Sequence, residues 1–125
     1  MHVLIADDSS LIRNNLIKLI KPIEGITHIS EAEDITPTIK ILNTAYPDIL
    51  ILDLHMPEGN GLEVLSYVQE NHLEVKVIVL TNYVTEYYRK KSMELGAEYF
   101  YDKSNEFHKV ITLLSSMNIK REGTY

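Results

Sequence analysis

The stretch Ile49-Leu50-Ile51-Leu52-Asp53 decides how this sequence is read. Four consecutive aliphatic side chains leave no polar face, so a strand built from them must be covered on both sides, as happens at the centre of a parallel sheet flanked by helices. The run stops on a carboxylate. Working outward, short apolar runs alternate with longer amphipathic stretches, and five such repeats can be counted. His2 to Ala6 is the first strand, Thr27 to Ala32 a weaker second, Val75 to Leu80 the fourth and Tyr99 to Tyr101 the fifth. Between them the apolar spacing predicts helices. The first runs from about Ser9 to Lys21 with Ile12, Leu16, Leu19, Ile20 and Ile23 inward. The second opens on Thr36-Pro37, read as N-cap and N1 proline, with Ile39, Leu42 and Ala45 inward. Leu62, Leu65 and Val68 drive the third, Thr85 to Leu95 forms the fourth with Gly96 at its end, and Asn105 to Met117 forms the fifth around Phe107, Val110, Ile111 and Leu114. The expected architecture is α/β, a doubly wound five-stranded parallel sheet.

With 125 residues, 45% of them hydrophobic and 24% charged, the chain has the size and composition of one soluble globular domain. The reading places that domain at residues 1–117 and a polar C-terminal tail at 118–125. A net charge of −6 disfavours direct nucleic-acid binding and adhesion to anionic membranes, leaving cations and proteins as expected partners. The absence of cysteine excludes disulfides, thiolate metal sites and a cysteine nucleophile. The apolar opening Val3-Leu4-Ile5-Ala6 ends at once in Asp7-Asp8, too short for a signal or spanning segment, so a cytoplasmic location is expected.

In an open parallel sheet, ligands bind beyond the carboxyl ends of the strands. The residues there are Asp7-Asp8, Asp53, Thr81 and Lys103. Three carboxylates converging on one edge repel one another unless a cation joins them, and an all-oxygen set with room for water and phosphate suits Mg²⁺. A metal, a lysine and a hydroxyl together make a phosphoryl-transfer cradle. No Gly-rich nucleotide loop is present, so the phosphate is not that of a nucleotide held on such a loop; the obvious acceptor is a carboxylate of the site itself, and Asp53 is the best placed. His72 and His108 read as surface residues, Arg89-Lys90-Lys91 as the solvated face of the fourth helix, and Tyr46, Tyr67 and Tyr88 as half-buried helix positions.

These residues resemble the receiver domains of bacterial two-component response regulators, over Val3 to about Leu114. The resemblance rests on Asp7-Asp8, on Asp53-Leu54-His55-Met56-Pro57 with Gly61 beyond, on Thr81 after Val77-Ile78-Val79-Leu80, and on Asp102-Lys103 after Gly96-Ala97. It implies a flavodoxin-like (βα)5 fold with strand order 2-1-3-4-5, of the stand-alone, chemotaxis-like kind. It also implies that Asp53 accepts phosphate from a sensor histidine kinase or a histidine phosphotransfer protein. Asp8, Asp53 and the backbone carbonyl of His55 would hold Mg²⁺, with Asp7 acting mainly through water, and Thr81 and Lys103 would hold the phosphoryl group. The aromatic switch position falls on Phe100. Output would pass through the fourth helix, fifth strand and fifth helix, with Arg89, Lys90, Tyr101 and His108 as contacts to a downstream protein or a second copy. The molecule would be a monomer or a phosphorylation-linked dimer, and no dedicated enzyme beyond its own phosphorylation and dephosphorylation.

Two positions depart from the family pattern. Ser104 stands where a cis proline usually follows the lysine, and Asn82 is larger than the usual residue after the threonine. His55, Asn82 and Tyr83 are expected to tune the lifetime of the phosphoryl group. Competing readings are a pseudo-receiver that is never phosphorylated, an aspartate-nucleophile phosphatase and a flavin module. The phosphatase lacks its second acid, because His55 occupies that place, and the flavin module lacks hydroxyl-rich turns where Asp7-Asp8 stand.

Overall fold

A computed structural model of the chain describes residues 1–122. In chain order the elements are β1 (His2–Ala6), α1 (Ser10–Ile20), β2 (His28–Ala32), α2 (Ile35–Thr44), β3 (Ile49–Leu52), β4 (His55–Met56), β5 (Gly59–Asn60), α3 (Leu62–Glu70), β6 (Lys76–Thr81), α4 (Glu86–Glu94), β7 (Tyr99–Asp102) and α5 (Phe107–Glu122). The main sheet is parallel, with order β2-β1-β3-β6-β7, while β4 and β5 form a separate antiparallel hairpin. With the hairpin set aside, this is the expected flavodoxin-like order 2-1-3-4-5.

The all-aliphatic Ile49–Leu52 lies between β1 and β6, every side chain buried. Alternation along the strands divides the core in two. Leu4, Leu50, Leu52, Val77, Val79 and Phe100 face α2 and α3 through Leu42, Leu65 and Val68. Val3, Ile5, Ile49, Ile51, Ile78 and Leu80 face α1 and α5 through Leu16, Ile20, Val110 and Leu114. Burying each such Leu or Ile contributes about 1.5–3 kcal/mol, so these two layers dominate the folding energy. Among the described residues no helix is long and apolar enough to cross a membrane.

The register brings the strand ends level. Ala6 pairs with Leu52, and the ladder runs one residue further, with Asp7 N donating to Ala32 O and Asp53 N to Ala6 O. Thr81 pairs with Asp102, and Lys103 N donates to Thr81 O. Asp7, Asp53, Thr81 and Lys103 therefore emerge along one edge.

Several local expectations are corrected. Asp34 caps α2, its side chain accepting from Ile35 N, and Thr36 and Pro37 lie within the first turn. Proline is tolerated there because first-turn N–H groups have no intrahelical partner. Ile35, Thr38 and Leu42 form the buried face of α2, and Ala45 is exposed. Leu19 and Tyr46 are exposed, Tyr46 because it follows the end of α2 with φ of 47°. The helix expected to end at Met117 continues to Glu122, so much of the polar tail is helical. Residues 123–125 of that tail lie outside the described residues.

Candidate functional site

Three carboxylates gather at the carboxyl edge of the sheet. One oxygen from each of Asp7, Asp8 and Asp53 lies within 4.8 Å of the others. Asp7 and Asp53 are buried and Asp8 is exposed. The Lys103 ammonium sits between the two buried acids, 2.7 Å from Oδ2 of each. Each inner acid also accepts from the backbone: Asp7 Oδ1 from Ser9 N at 2.8 Å and Asp53 Oδ1 from His55 N at 3.2 Å. Asp7 thus contacts Lys103 directly, in addition to any role through water.

Electrostatics follow from this geometry. Burial pushes the Asp7 carboxyl above the usual carboxylate range, against the hydrogen bonds from Lys103 and Ser9 and the charge of Lys103. For Lys103, burial works to lower the pKa, but hydrogen bonds to Asp53 and Asp7 and their charges outweigh it and hold the ammonium above its ordinary value. One lysine charge faces three carboxylates, and this hard, oxygen-only donor set fits a divalent cation such as Mg²⁺.

The loops that carry these groups are fixed locally. Ser9 caps α1 and orients the turn after Asp7-Asp8. Asp34 Oδ1 accepts from Glu58 N, and the Glu58 carboxylate accepts from Thr36 N and Oγ1, tying the β4–β5 hairpin to the start of α2. Gly61 packs against the end of β3: a Cβ there would lie 2.5 Å from Asp53 O and 2.9 Å from Leu54 Cα. Only glycine allows that approach.

Thr81 is fully buried at the end of β6, and its Oγ1 accepts from Tyr83 N at 3.1 Å. Phe100 is 6% exposed on the α4 side of the sheet. Arg89 is exposed, as expected of a solvated face, and its guanidinium lies 4.7 Å from the Phe100 ring centroid, with Nη1 3.5 Å from Phe100 O. No pattern in the sequence announces that contact, because Arg89 and Phe100 lie on different elements joined by a turn. Tyr83 Oη is 2.8 Å from His55 Nδ1, and its ring stacks on Tyr88 at 5.2 Å. His55 and Tyr83 therefore meet over the pocket. Asn82 is exposed, and its Oδ1 accepts from Ser104 Oγ at 3.0 Å rather than joining them. The Lys103–Ser104 peptide is trans, and Asp102 shapes the following turn by accepting from Ser104 N and Asn105 Nδ2. Lys90 and His108 are exposed, and Tyr101 is half-buried.

Comparison with known proteins agrees with this arrangement. The chain is 36% identical over 96 residues to the transcriptional regulatory protein YdfI of Bacillus subtilis strain 168, covering 77% of this chain and 45% of YdfI. The chain therefore spans less than half of that relative's length. A crystal structure of a DNA-binding response regulator of the LuxR family from Staphylococcus aureus superposes with a TM-score of 0.84 at 25% identity, covering 94% of this chain and 98% of that one. A CheY-like response regulator receiver domain protein from Methanospirillum hungatei JF-1 shares the fold, with a TM-score of 0.84 at 18% identity over 99% of this chain and 98% of its own. The response regulator receiver domain matches residues 3–115, and with the acids, threonine and lysine gathered at one sheet edge, the chain belongs to that family.

Proposed function

We propose that this receiver domain is switched by phosphorylation of Asp53, the phosphoryl group coming from a phosphohistidine of a sensor histidine kinase or histidine phosphotransfer protein. The observation that carries this reading is the Lys103 ammonium 2.7 Å from Asp53 Oδ2, in a pocket where Asp7 and Asp8 place carboxylates within 4.8 Å. Asp7, Asp8, Asp53 and the His55 carbonyl would hold Mg²⁺, which when bound offsets the like charges and polarises the phosphoryl oxygens.

An Asp53 carboxylate oxygen attacks phosphorus as the phosphorus–nitrogen bond of the donor breaks. Lys103 neutralises the nucleophile before transfer and donates to a phosphoryl oxygen after it. The buried Thr81 hydroxyl donates to another, which draws it toward the pocket. Hydrolysis needs a water in line with the Asp53 oxygen–phosphorus bond, and the His55–Tyr83 pair lies across that approach, so it lengthens the phosphorylated state. Self-phosphorylation and self-dephosphorylation are thus the domain's only chemistry in this reading.

The switch then passes from Thr81 to Phe100 and outward to the surface of α4, β7 and α5. Phenylalanine has no hydroxyl to keep in water, so its inward, buried rotamer leaves no polar group unsatisfied. Arg89, Lys90, Tyr101 and His108 are the proposed contacts for a downstream protein or a second copy, at a cytoplasmic location. Incubating the protein with acetyl phosphate and Mg²⁺ and weighing it intact tests the proposal. A gain of one phosphoryl group that EDTA prevents is expected; no gain, or a gain indifferent to chelation, contradicts it.

A further inference from the structure

Two of the pocket's three carboxylates are tied in place and the third is not. Asp7 and Asp53 have both oxygens engaged, with Lys103 and with backbone N–H groups. The Asp8 side chain accepts no hydrogen bond among the described residues, and its Oδ2 meets His55 Nε2 only across 3.8 Å, beyond hydrogen-bond length. Where the Asp8 carboxylate points is therefore set by its backbone, and so by the peptide that joins it to Asp7.

That peptide is held by an arginine. Asp7 N still donates to Ala32 O, but β2 ends at Ala32 and the chain turns into α2 at Asp34, so the strand supplies no donor to Asp7 O. Arg13 Nη1 takes that place at 2.7 Å. Glu31 fixes the same guanidinium from β2, its Oε1 accepting from Nε at 2.9 Å. The Arg13 side chain is only 13% exposed, and its backbone N–H donates to the carbonyl of the capping Ser9 at 3.1 Å. An ion pair with a half-exposed glutamate would by itself contribute little. The consequence lies in the carbonyl: one planar fork bridges α1, β2 and the Asp7–Asp8 peptide in a geometry that a lysine ammonium does not reproduce.

We infer that Arg13 is a positioning residue of the acidic pocket: by clamping the Asp7–Asp8 peptide against β2, it aims the Asp8 carboxylate at the cation shared with Asp7 and Asp53. The inference rests on the reading that the acidic pocket binds a divalent cation. Groups outside the ligand set commonly orient ligating side chains, and losing one weakens the metal without removing a ligand. Arg13 is no ligand itself and acts through Asp8.

The test is titration of the whole chain with MgCl₂, followed by amide NMR, in wild type, Arg13→Met, Asp8→Asn and the double variant. Arg13→Met should weaken Mg²⁺ by about tenfold and, before any metal is added, shift the amide resonances of Asp8 and Ser9. In the Asp8→Asn background the same substitution should cost less than about twofold, because the carboxylate through which it acts is gone. Arg13→Lys, which keeps the charge but not the fork, should also weaken Mg²⁺ several-fold, and it carries the same comparison in both backgrounds if Arg13→Met does not fold. An equal loss with and without the Asp8 carboxylate, or Arg13 variants within about twofold of wild type, overturns the inference and leaves the cation site standing. Failure of wild type to bind Mg²⁺ overturns both.

Discussion

Lys103→Met removes the one cation from between two buried carboxylates and keeps the apolar stem. In the folded domain Nζ lies 2.7 Å from Oδ2 of Asp7 and of Asp53, and the three side chains are only 10%, 4% and 3% exposed. Without the ammonium, carboxylates with oxygens within 4.8 Å repel by about 3.5 kcal/mol at an effective dielectric constant of 20. Protonating one acid is the alternative; for a carboxyl of ordinary pKa near 3.9 that costs about 4 kcal/mol at pH 7, and less for Asp7, whose pKa burial raises. The metal-free variant should therefore lose at most about 3–4 kcal/mol at pH 7, a large share of a typical domain's stability. Urea denaturation with and without Mg²⁺, at pH 7 and pH 5, reads the effect. The deficit should shrink at pH 5, where an acid protonates more cheaply, and shrink again with Mg²⁺. Wild type should show an alkaline step that the variant lacks. Because the Lys103 pKa is raised, its stabilisation is complete below the unfolded value near 10.4 and is lost as pH climbs through the folded one. A deficit below about 1 kcal/mol, or one indifferent to pH and Mg²⁺, would refute the reasoning.

Ser92 Oγ is fully buried in α4 with no hydrogen-bond partner, so Ser92→Ala should raise stability by about 1–3 kcal/mol in urea melts; a loss would mean the hydroxyl has an unrecognised role. The raised Asp7 pKa means that this group's contribution to stability falls as pH rises through its folded value, so Asp7→Asn should raise the urea midpoint of the metal-free protein at pH 7 while weakening Mg²⁺ binding. A lowered midpoint would show that the Lys103 contact outweighs burial. Gly61→Ala, forced against Asp53 O, should shift the backbone amide resonances of residues 53–55 and slow phosphorylation, and unchanged spectra would contradict the close packing. Tyr83→Ala should speed loss of the phosphoryl group from Asp53 by removing the ring that meets His55; an equal or slower rate counts against screening.

Central strands were the most legible part of the fold, because Ile49–Leu52 has no polar residue to admit any other placement. Helix starts were less so. Thr36-Pro37 carries a strong capping pattern, yet Asp34 takes the role because it also binds Glu58 N across the molecule, a contact that local sequence does not encode. Leu19 fits the apolar period of α1 but falls beside the stripe that Leu16 and Ile20 already fill. In the site, Asp7, Asp8, Asp53, Thr81 and Lys103 could be read because each follows a strand. The Lys103 bridge to Asp7, the Arg89 guanidinium over Phe100 and the Tyr83–His55 contact could not, since each depends on side-chain reach between different elements.

The central claim is that Asp53 takes the phosphoryl group. Protein treated with acetyl phosphate and Mg²⁺, reduced with borohydride, digested and sequenced by mass spectrometry tests it most directly, because reduction converts an aspartyl phosphate to homoserine. Homoserine at position 53 in wild type, with no labelling in Asp53→Asn, is the predicted result. Homoserine at position 7 or 8, or full labelling of Asp53→Asn, would contradict it.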